Sequence, residues 1–126
     1  MADGTEISTS EWQVMNAVWD GQPITARDII AQVGPPNDWT PATVRTFLHR
    51  LVKKGALKTK QDGNRYLYSA AIPKNKTIKQ ASRSFLASVF SGETAPLLNH
   101  FVKTSRLSPE EIRQLRELLE AQEGQK

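Results

Sequence analysis

The segment Trp39–Gly55 constrains the fold most, because it carries signals for both ends of a single amphipathic helix. Thr40 suits the N-cap, Pro41 suits the first helical position, and Gly55 suits the residue just after the helix ends. An apolar stripe with helical spacing runs along one side, where it is expected to face the core; it comprises Val44, Phe47, Leu48, Leu51 and Val52. The segment therefore predicts a helix that packs through one face only.

The opposite face of this helix is polar, basic and free of acidic residues. Small hydroxyl side chains allow close approach to a partner, arginine can bind guanine through two hydrogen bonds, and cations neutralise phosphates. We therefore predict that this face enters a DNA major groove through Thr40, Ala42, Thr43, Arg45, Thr46, His49, Arg50 and Lys53. A basic helix face can also be merely solvated, so the rest of the chain has to decide between these interpretations.

Charge is distributed unevenly along the chain. The formal net charge is +4, yet Asp62 is the only acidic residue between Arg45 and Arg83. Before Arg45 the balance is acidic, and Arg27 is the only basic residue there. A basic middle between more acidic ends indicates a polyanionic partner for the middle of the chain.

Composition excludes several classes of function. Cysteine is absent, which rules out disulfides, thiolate catalysis and cysteine-ligated metal sites. The two histidines, His49 and His100, have no accompanying acid pair, nucleophile motif or Gly-rich phosphate loop, so we expect no enzyme, cofactor or metal site. Neither a membrane-spanning apolar run nor a signal-peptide pattern is present, and we expect a cytoplasmic protein without membrane insertion.

Two further helices are expected before the helix predicted within Trp39–Gly55. Ser8 and Glu11 have the spacing of a capping box at the start of the first helix, and Thr25 suits the N-cap of the second. The stretch Gly34–Asp38, with two prolines, predicts a break before Thr40. This break makes the connection longer than the short turn of the simplest helix-turn-helix.

After Gly55 the apolar pattern becomes alternating, and Gln61–Asn64 contains an Asp-Gly pair that favours a tight hairpin turn. Three helices followed by a basic hairpin indicate a mainly α fold with a small β wing, a winged helix-turn-helix domain over residues 1–72. Such a hairpin would bring cations and an amide beside DNA phosphates, namely Lys58, Lys60, Asn64 and Arg65. The hairpin could also complete the core through Leu57, Tyr66 and Tyr68, and both roles can hold because alternate residues face opposite ways.

Residues 73–126 predict a three-helix dimerisation region. Ser108 and Glu111 form a second capping box there, at the start of the last helix. A lone unit of roughly fifty residues seldom buries enough apolar surface to be stable. We therefore expect the apolar stripes to pack against a second chain through Phe85, Leu86, Val89, Leu97, Leu98, Phe101, Ile112, Leu115, Leu118 and Leu119. The alternative is that these helices fold back on the winged helix of their own chain.

Four segments resemble the penicillinase repressor family, which includes methicillin-resistance and copper-responsive repressors. They are Ser10–Met15, Trp39–Thr46, Leu51–Gly55 and Leu107–Leu115, within a resemblance that extends from about Ile7 to about Leu119. The resemblance implies a homodimeric repressor that binds a palindromic operator, with Thr43, Arg45 and Thr46 at the DNA. Ala42 stands where some members carry a polar or basic residue.

The same resemblance bears on how the operator is released. Copper-responsive members carry a C-terminal cysteine cluster, which this chain does not have. The β-lactam-responsive members are inactivated by proteolysis at an Asn-Phe bond, and the matching stretch here reads Asn99-His100-Phe101. Cleavage there by a sensor protease is one route by which the last helix would be disconnected and the dimer lost.

A rival interpretation is a winged helix that serves as a protein-interaction or assembly module, since this fold does not fix a function. Such a module would bind DNA weakly and without sequence preference. The basic outer face of the helix within Trp39–Gly55 argues against this interpretation.

Overall fold

The computed structural model describes residues 6–124, so the outermost residues of the two predicted domains, 1–5 and 125–126, lie outside the described range. Its elements, in chain order, are α1 (Thr9–Gly21), β1 (Ile24–Thr25), α2 (Ala26–Asn37), α3 (Pro41–Lys53), β2 (Leu57–Asp62), β3 (Arg65–Ala70), α4 (Lys74–Val89), α5 (Thr94–Thr104) and α6 (Pro109–Glu123). The strands form one antiparallel sheet in the order β1-β3-β2. The predicted mainly α fold with a small β wing is confirmed. The chain divides into two compact units, one extending to Ile78 and the other beginning at Lys79.

The predicted helix starts in the first unit are confirmed by their hydrogen bonds. Ser8 Oγ accepts from the Glu11 N–H at 3.2 Å, and the Ser8 N–H donates to Glu11 Oε1 at 2.9 Å, which completes the capping box of α1. Thr25 and Thr40 cap α2 and α3, each accepting through its Oγ1 from the N–H three residues later at 3.2 Å. These caps satisfy N–H groups that have no partner within the helix.

The predicted break at Gly34–Asp38 is wrong, because α2 continues through both prolines to Asn37. Each proline removes its own N–H from the helix. Near the helix end, Asn37 Nδ2 donates to the Val33 carbonyl at 2.8 Å. The helix ends in a Schellman motif, with Asp38 at φ 57° and the Trp39 N–H donating to the Gly34 carbonyl at 2.9 Å. Only Asp38–Thr40 then separates α2 from α3, so the helix-turn-helix connection is short.

The predicted hairpin is confirmed, and a third strand joins it. Asp62 pairs with Arg65, which leaves a two-residue loop whose first residue, Gly63, has the positive φ of 64° that this turn requires. β1 pairs with the outer side of β3 through Ile24 and Thr25. Two residues are too few to show an alternating pattern, so the sequence did not reveal this strand.

The core of the first unit lies among α1, α2, α3 and the start of β2. Its fully buried side chains include Met15, Ile29, Leu48 and Leu51. In the predicted stripe of α3, Phe47 is half-buried and meets Trp39 edge-on, with 5.0 Å between ring centroids. Val52 is 37% exposed, so the last residue of this stripe lies outside the core.

The second unit has helices without a closed core. Its last helix starts at the predicted capping box of Ser108 and Glu111. Throughout residues 79–124, all within the described range, no side chain is buried. Leu98, Leu115, Leu118 and Leu119 of the predicted stripes are exposed in the single chain, with Leu118 at 66%, whereas Leu86 and Leu97 are half-buried.

Candidate nucleic-acid interface

The polar face of α3 lies open to solvent as predicted. Its outward residues, Ala42, Arg45, Thr46, His49, Arg50 and Lys53, are all exposed, and Thr43 is half-buried. Two of the hydroxyls are oriented locally: Thr43 Oγ1 lies 3.0 Å from Thr40 Oγ1, and Thr46 Oγ1 donates to the Ala42 carbonyl at 3.1 Å. The helix therefore presents small, fixed groups near its start and longer cations toward its end.

Lys54 does not join this face, although it follows directly on Lys53. Its Nζ forms an ion pair with Glu11 and donates to the Glu6 carbonyl at 2.9 Å. Glu11 is only 1% exposed. The pair joins the end of α3 to the start of α1. It also neutralises one of the cations in the basic middle of the chain, between Arg45 and Arg83.

The pKa of Glu11 is lowered by the contacts that surround it. Burial is the largest single influence and acts to raise the pKa, but the hydrogen bonds from Lys54 and Ser8 and the charge of Lys54 together outweigh it. Glu11 is therefore ionised at neutral pH, which keeps Lys54 bound.

The strand register divides the wing into two faces. Lys58 lies opposite Ser69 and Lys60 opposite Leu67, while Thr59 lies opposite Tyr68. Because successive residues of a strand face opposite ways, the two lysines lie on one face of the hairpin and Thr59 lies on the other. The face with Thr59 is the one that meets the helices.

An open cleft of about 1080 Å³ lies beside this inner face of the wing. Its other walls are formed by α3 and by the first turn of α2. Its polar lining includes Arg27, Arg45, His49, Asn64, Arg65 and Tyr66. The structure thus brings together predicted residues from the helix and from the wing. Lys60 lies on the outer face of the hairpin, and Arg50 and Lys53 are exposed elsewhere on α3.

Several residues of the cleft are not among the predicted DNA-binding residues, and Arg27 and Tyr66 are two of them. Arg27 lies in the acidic N-terminal part of the sequence and gave no signal. Tyr66 was considered for the core together with Leu57 and Tyr68; Leu57 is buried and Tyr68 packs against the core, but Tyr66 is 55% exposed. The alternation of the strand puts Tyr66 on the same face as Tyr68. It does not show how far Tyr66 lies from the core.

In the second unit, apolar residues line a groove of about 530 Å³ that involves α5 and α6; they include Val102, Leu107, Ile112, Leu115 and Leu119. The stretch Asn99-His100-Phe101 lies inside α5, and all three residues are exposed. At the start of α5, Glu93 makes no capping hydrogen bond through its side chain. Across residues 6–124, no helix has the length and apolar character needed to cross a bilayer.

Comparison with known proteins agrees with this architecture. The family model described as penicillinase repressor matches residues 7–121. The methicillin resistance regulatory protein MecI of Staphylococcus aureus is 35% identical over 114 residues, which cover 90% of this chain and 93% of that protein. The penicillinase repressor of Bacillus licheniformis is 32% identical over 121 residues, covering 96% and 94% of the two chains. Monomeric BlaI of Bacillus licheniformis, solved in complex with the blaP half-operator, is similar with a TM-score of 0.51 and 33% identity over 56% of this chain and 85% of that one.

Proposed function

Since the chain belongs to the penicillinase repressor family, and is thus a DNA-binding repressor and not an enzyme, we propose that it acts as a homodimer on a palindromic operator. The observation that carries this proposal is the exposed face of α3, which bears cations and small hydroxyls without an acid. The similarity to a structure bound to half of an operator supports the placing of one winged helix on each half-site.

Within this proposal, α3 lies in the major groove. Arg45 and Thr46 read base edges, because a guanidinium and a hydroxyl with its methyl group match the donors, acceptors and methyl groups displayed there. Arg50 and Lys53 bind phosphates, as do Lys60, Asn64 and Arg65 of the wing. The ion pair of Arg65 with Asp62, at 3.2 Å between Nη2 and Oδ2, is exposed and can be exchanged for a phosphate contact.

The dimer forms through the second domain, proposed to begin at residue 73. The open apolar stripes of α4, α5 and α6 support this, because a second copy would remove them from water. Joining two winged helices makes the second half-site contact intramolecular and raises the effective affinity steeply. Loss of the dimer would therefore release the promoter.

One route to that loss is cleavage by a sensor protease near Asn99, His100 and Phe101. A protease needs an extended segment, so α5 must open locally before it is cut. All residues of α5 are described, and none of them is buried. In addition, Glu93 provides no side-chain cap at the start of this helix. Both features favour local opening. A chain truncated after Asn99 should fail to dimerise and should bind operator weakly; normal dimerisation and binding by this truncation would contradict the route.

The proposal is tested by binding of the purified protein to the DNA upstream of its own gene and to a scrambled duplex, over a salt series, with the mass determined in parallel. We expect a dimer that prefers the upstream DNA by about a thousandfold or more, the lower end for specific binders. Equal and steeply salt-dependent binding to both duplexes would instead indicate the rival function, a module that coats DNA without reading its sequence.

A further inference from the structure

The fold surrounds Arg27 with basic residues that are distant from it in the sequence. It is exposed in the first turn of α2 and lines the cleft together with Arg45 of α3 and Arg65 of the wing. β1 ends two residues before Arg27, and Thr25 pairs with Leu67 of β3. This pairing holds the first turn of α2, and with it the main chain of Arg27, beside the wing.

Helix stability does not explain an arginine at this position. A cation in the first turn opposes the helix macrodipole, whose positive end lies there. Within residues 6–124, Arg27 makes no ion pair with a carboxylate. A residue that breaks a local rule without an evident compensating contact points to a functional role.

The cleft has a position on DNA that follows from the proposed docking. If α3 lies in the major groove and the wing lies at the adjacent minor groove, the sugar-phosphate strand that separates the two grooves must pass between them. The cleft occupies that space, between the inner face of the wing and α3. A strand of DNA carries one negative charge per nucleotide, so a cation facing the cleft meets a phosphate.

We propose that the cleft holds this sugar-phosphate strand and that Arg27 binds one of its phosphates. The proposal rests on the DNA-binding function proposed above and adds a contact from α2. Asp28 also lines the cleft and would repel a phosphate. Arg27 and Arg45 line the same walls, so cations outnumber acids there even when Arg65, which is paired with Asp62, is left out. Because the contact is to the backbone, it strengthens binding without reading sequence.

The test is the salt dependence of binding for Arg27→Gln in the full-length protein, on the upstream duplex and on the scrambled duplex. We expect the slope of log K against log salt to become shallower by about 0.9 for each protomer bound. Affinity should fall by the same factor on both duplexes, which leaves the preference for the upstream DNA unchanged. Arg27→Lys, which keeps the charge, should retain the slope of the original protein.

Two controls separate this contact from a structural effect. Arg106→Gln removes the same charge from an exposed position in the second unit and should leave the slope unchanged. The Tm of Arg27→Gln should be unchanged or higher, because the variant removes a cation that opposes the helix dipole.

An unchanged slope for Arg27→Gln would overturn the inference, as would a lower Tm or a loss confined to the upstream duplex. In these cases the original protein still prefers its upstream DNA, and the proposed function stands. If the original protein bound neither duplex, the proposed function would fail and the inference would fail with it.

Discussion

Two helices of this protein begin with the same capping box and lie in different surroundings. In α1, Ser8 and Glu11 exchange hydrogen bonds of 2.9 and 3.2 Å; in α6, Ser108 and Glu111 exchange bonds of 3.0 and 3.1 Å. Glu11 is buried and paired with Lys54, whereas Glu111 is exposed. Identical local chemistry thus fixes where a helix starts and says nothing about what the helix will pack against.

The same contrast holds for the two units as a whole. Both have amphipathic helices with apolar stripes, but the stripe of α3 is buried at Val44, Leu48 and Leu51, while the stripe of α6 is open. The first unit combines three helices with a sheet that closes one side of its core. In the proposed dimer, a second copy would cover the open stripe of the second unit.

The largest expected effect on stability comes from a variant that creates a cavity in the core of the first unit. Leu51 is fully buried, so Leu51→Ala should lower the free energy of unfolding by about 4 kcal/mol, from lost transfer free energy and the cavity that remains. Urea denaturation followed by circular dichroism measures this loss. The matched variant Leu118→Ala, at an exposed position, should change the stability of a dilute monomer by less than about 0.5 kcal/mol. Equal losses for both variants would mean that the two units do not differ in packing.

Removing leucines from α6 tests whether the open stripe is an interface. Leu115→Ala combined with Leu119→Ala should weaken the proposed dimer by about 3 kcal/mol in total, or roughly a hundredfold in its dissociation constant. Sedimentation equilibrium measures that constant. Gln114→Ala, which changes an exposed polar residue of the same helix, is the control and should leave it unchanged. A dissociation constant unaffected by the double variant would exclude these leucines from the interface.

The two capping-box glutamates should respond differently to loss of charge. Glu11→Gln removes the partner of Lys54 and should cost about 2 kcal/mol, the range for a hydrogen bond to a charged group. Glu111→Gln should cost less, because Glu111 is exposed and binds only its own cap. Thermal melts at neutral pH compare the two variants, and an equal loss would show that burial adds nothing to the first box.

The lowered pKa of Glu11 also sets a pH dependence. Its contribution to stability is fully present above the ordinary pKa of a glutamate, and it is lost as the pH falls through the lowered pKa of the folded state. Acid titration of the original protein and of Glu11→Gln should therefore converge in stability at low pH. Parallel curves down to that range would contradict the role given to the buried carboxylate.

The last prediction compares two adjacent lysines, Lys53 and Lys54, in their effects on DNA binding and on stability. Lys53→Met should make the salt slope of DNA binding shallower by about 0.9 for each protomer bound, with a change in stability under about 0.5 kcal/mol. Lys54→Met should leave the slope unchanged and lower stability by about 2 kcal/mol or more, because it leaves the charge of Glu11 buried without its partner. Binding titrations and denaturation of both variants provide the measurement. A reversed pattern would show that Lys53, and not Lys54, is the partner of Glu11.

Sequence patterns predicted most of the elements, because the signals for them are local. Caps at Ser8, Thr25, Thr40 and Ser108 and the turn at Gly63 each involve residues within four positions of one another. The break predicted at Gly34–Asp38 is wrong because the helix end is set by the left-handed Asp38 and its Schellman motif, which follow the two prolines.

The candidate site could be predicted only in part. The outer face of α3 follows from helical spacing, so its residues were found. The sequence predicts Tyr66 only as a core residue, because alternation identifies the face of the strand on which a residue lies but not how far that residue is from the core. Arg27 was missed because its neighbours in sequence are acidic, and its neighbours in space come from α3 and the wing.

The sequence by itself therefore determined where the helices and the hairpin begin, which faces are apolar, and which family the chain resembles. Only the tertiary structure decided which charges are available. It buried Glu11 and paired it with Lys54 across 43 positions of the chain, and it brought Arg27 to the cleft through the pairing of β1 with β3. The physical reason is that caps and turns act over a few bonds, whereas ion pairs and strand pairings depend on distances in space that the packing of the core sets.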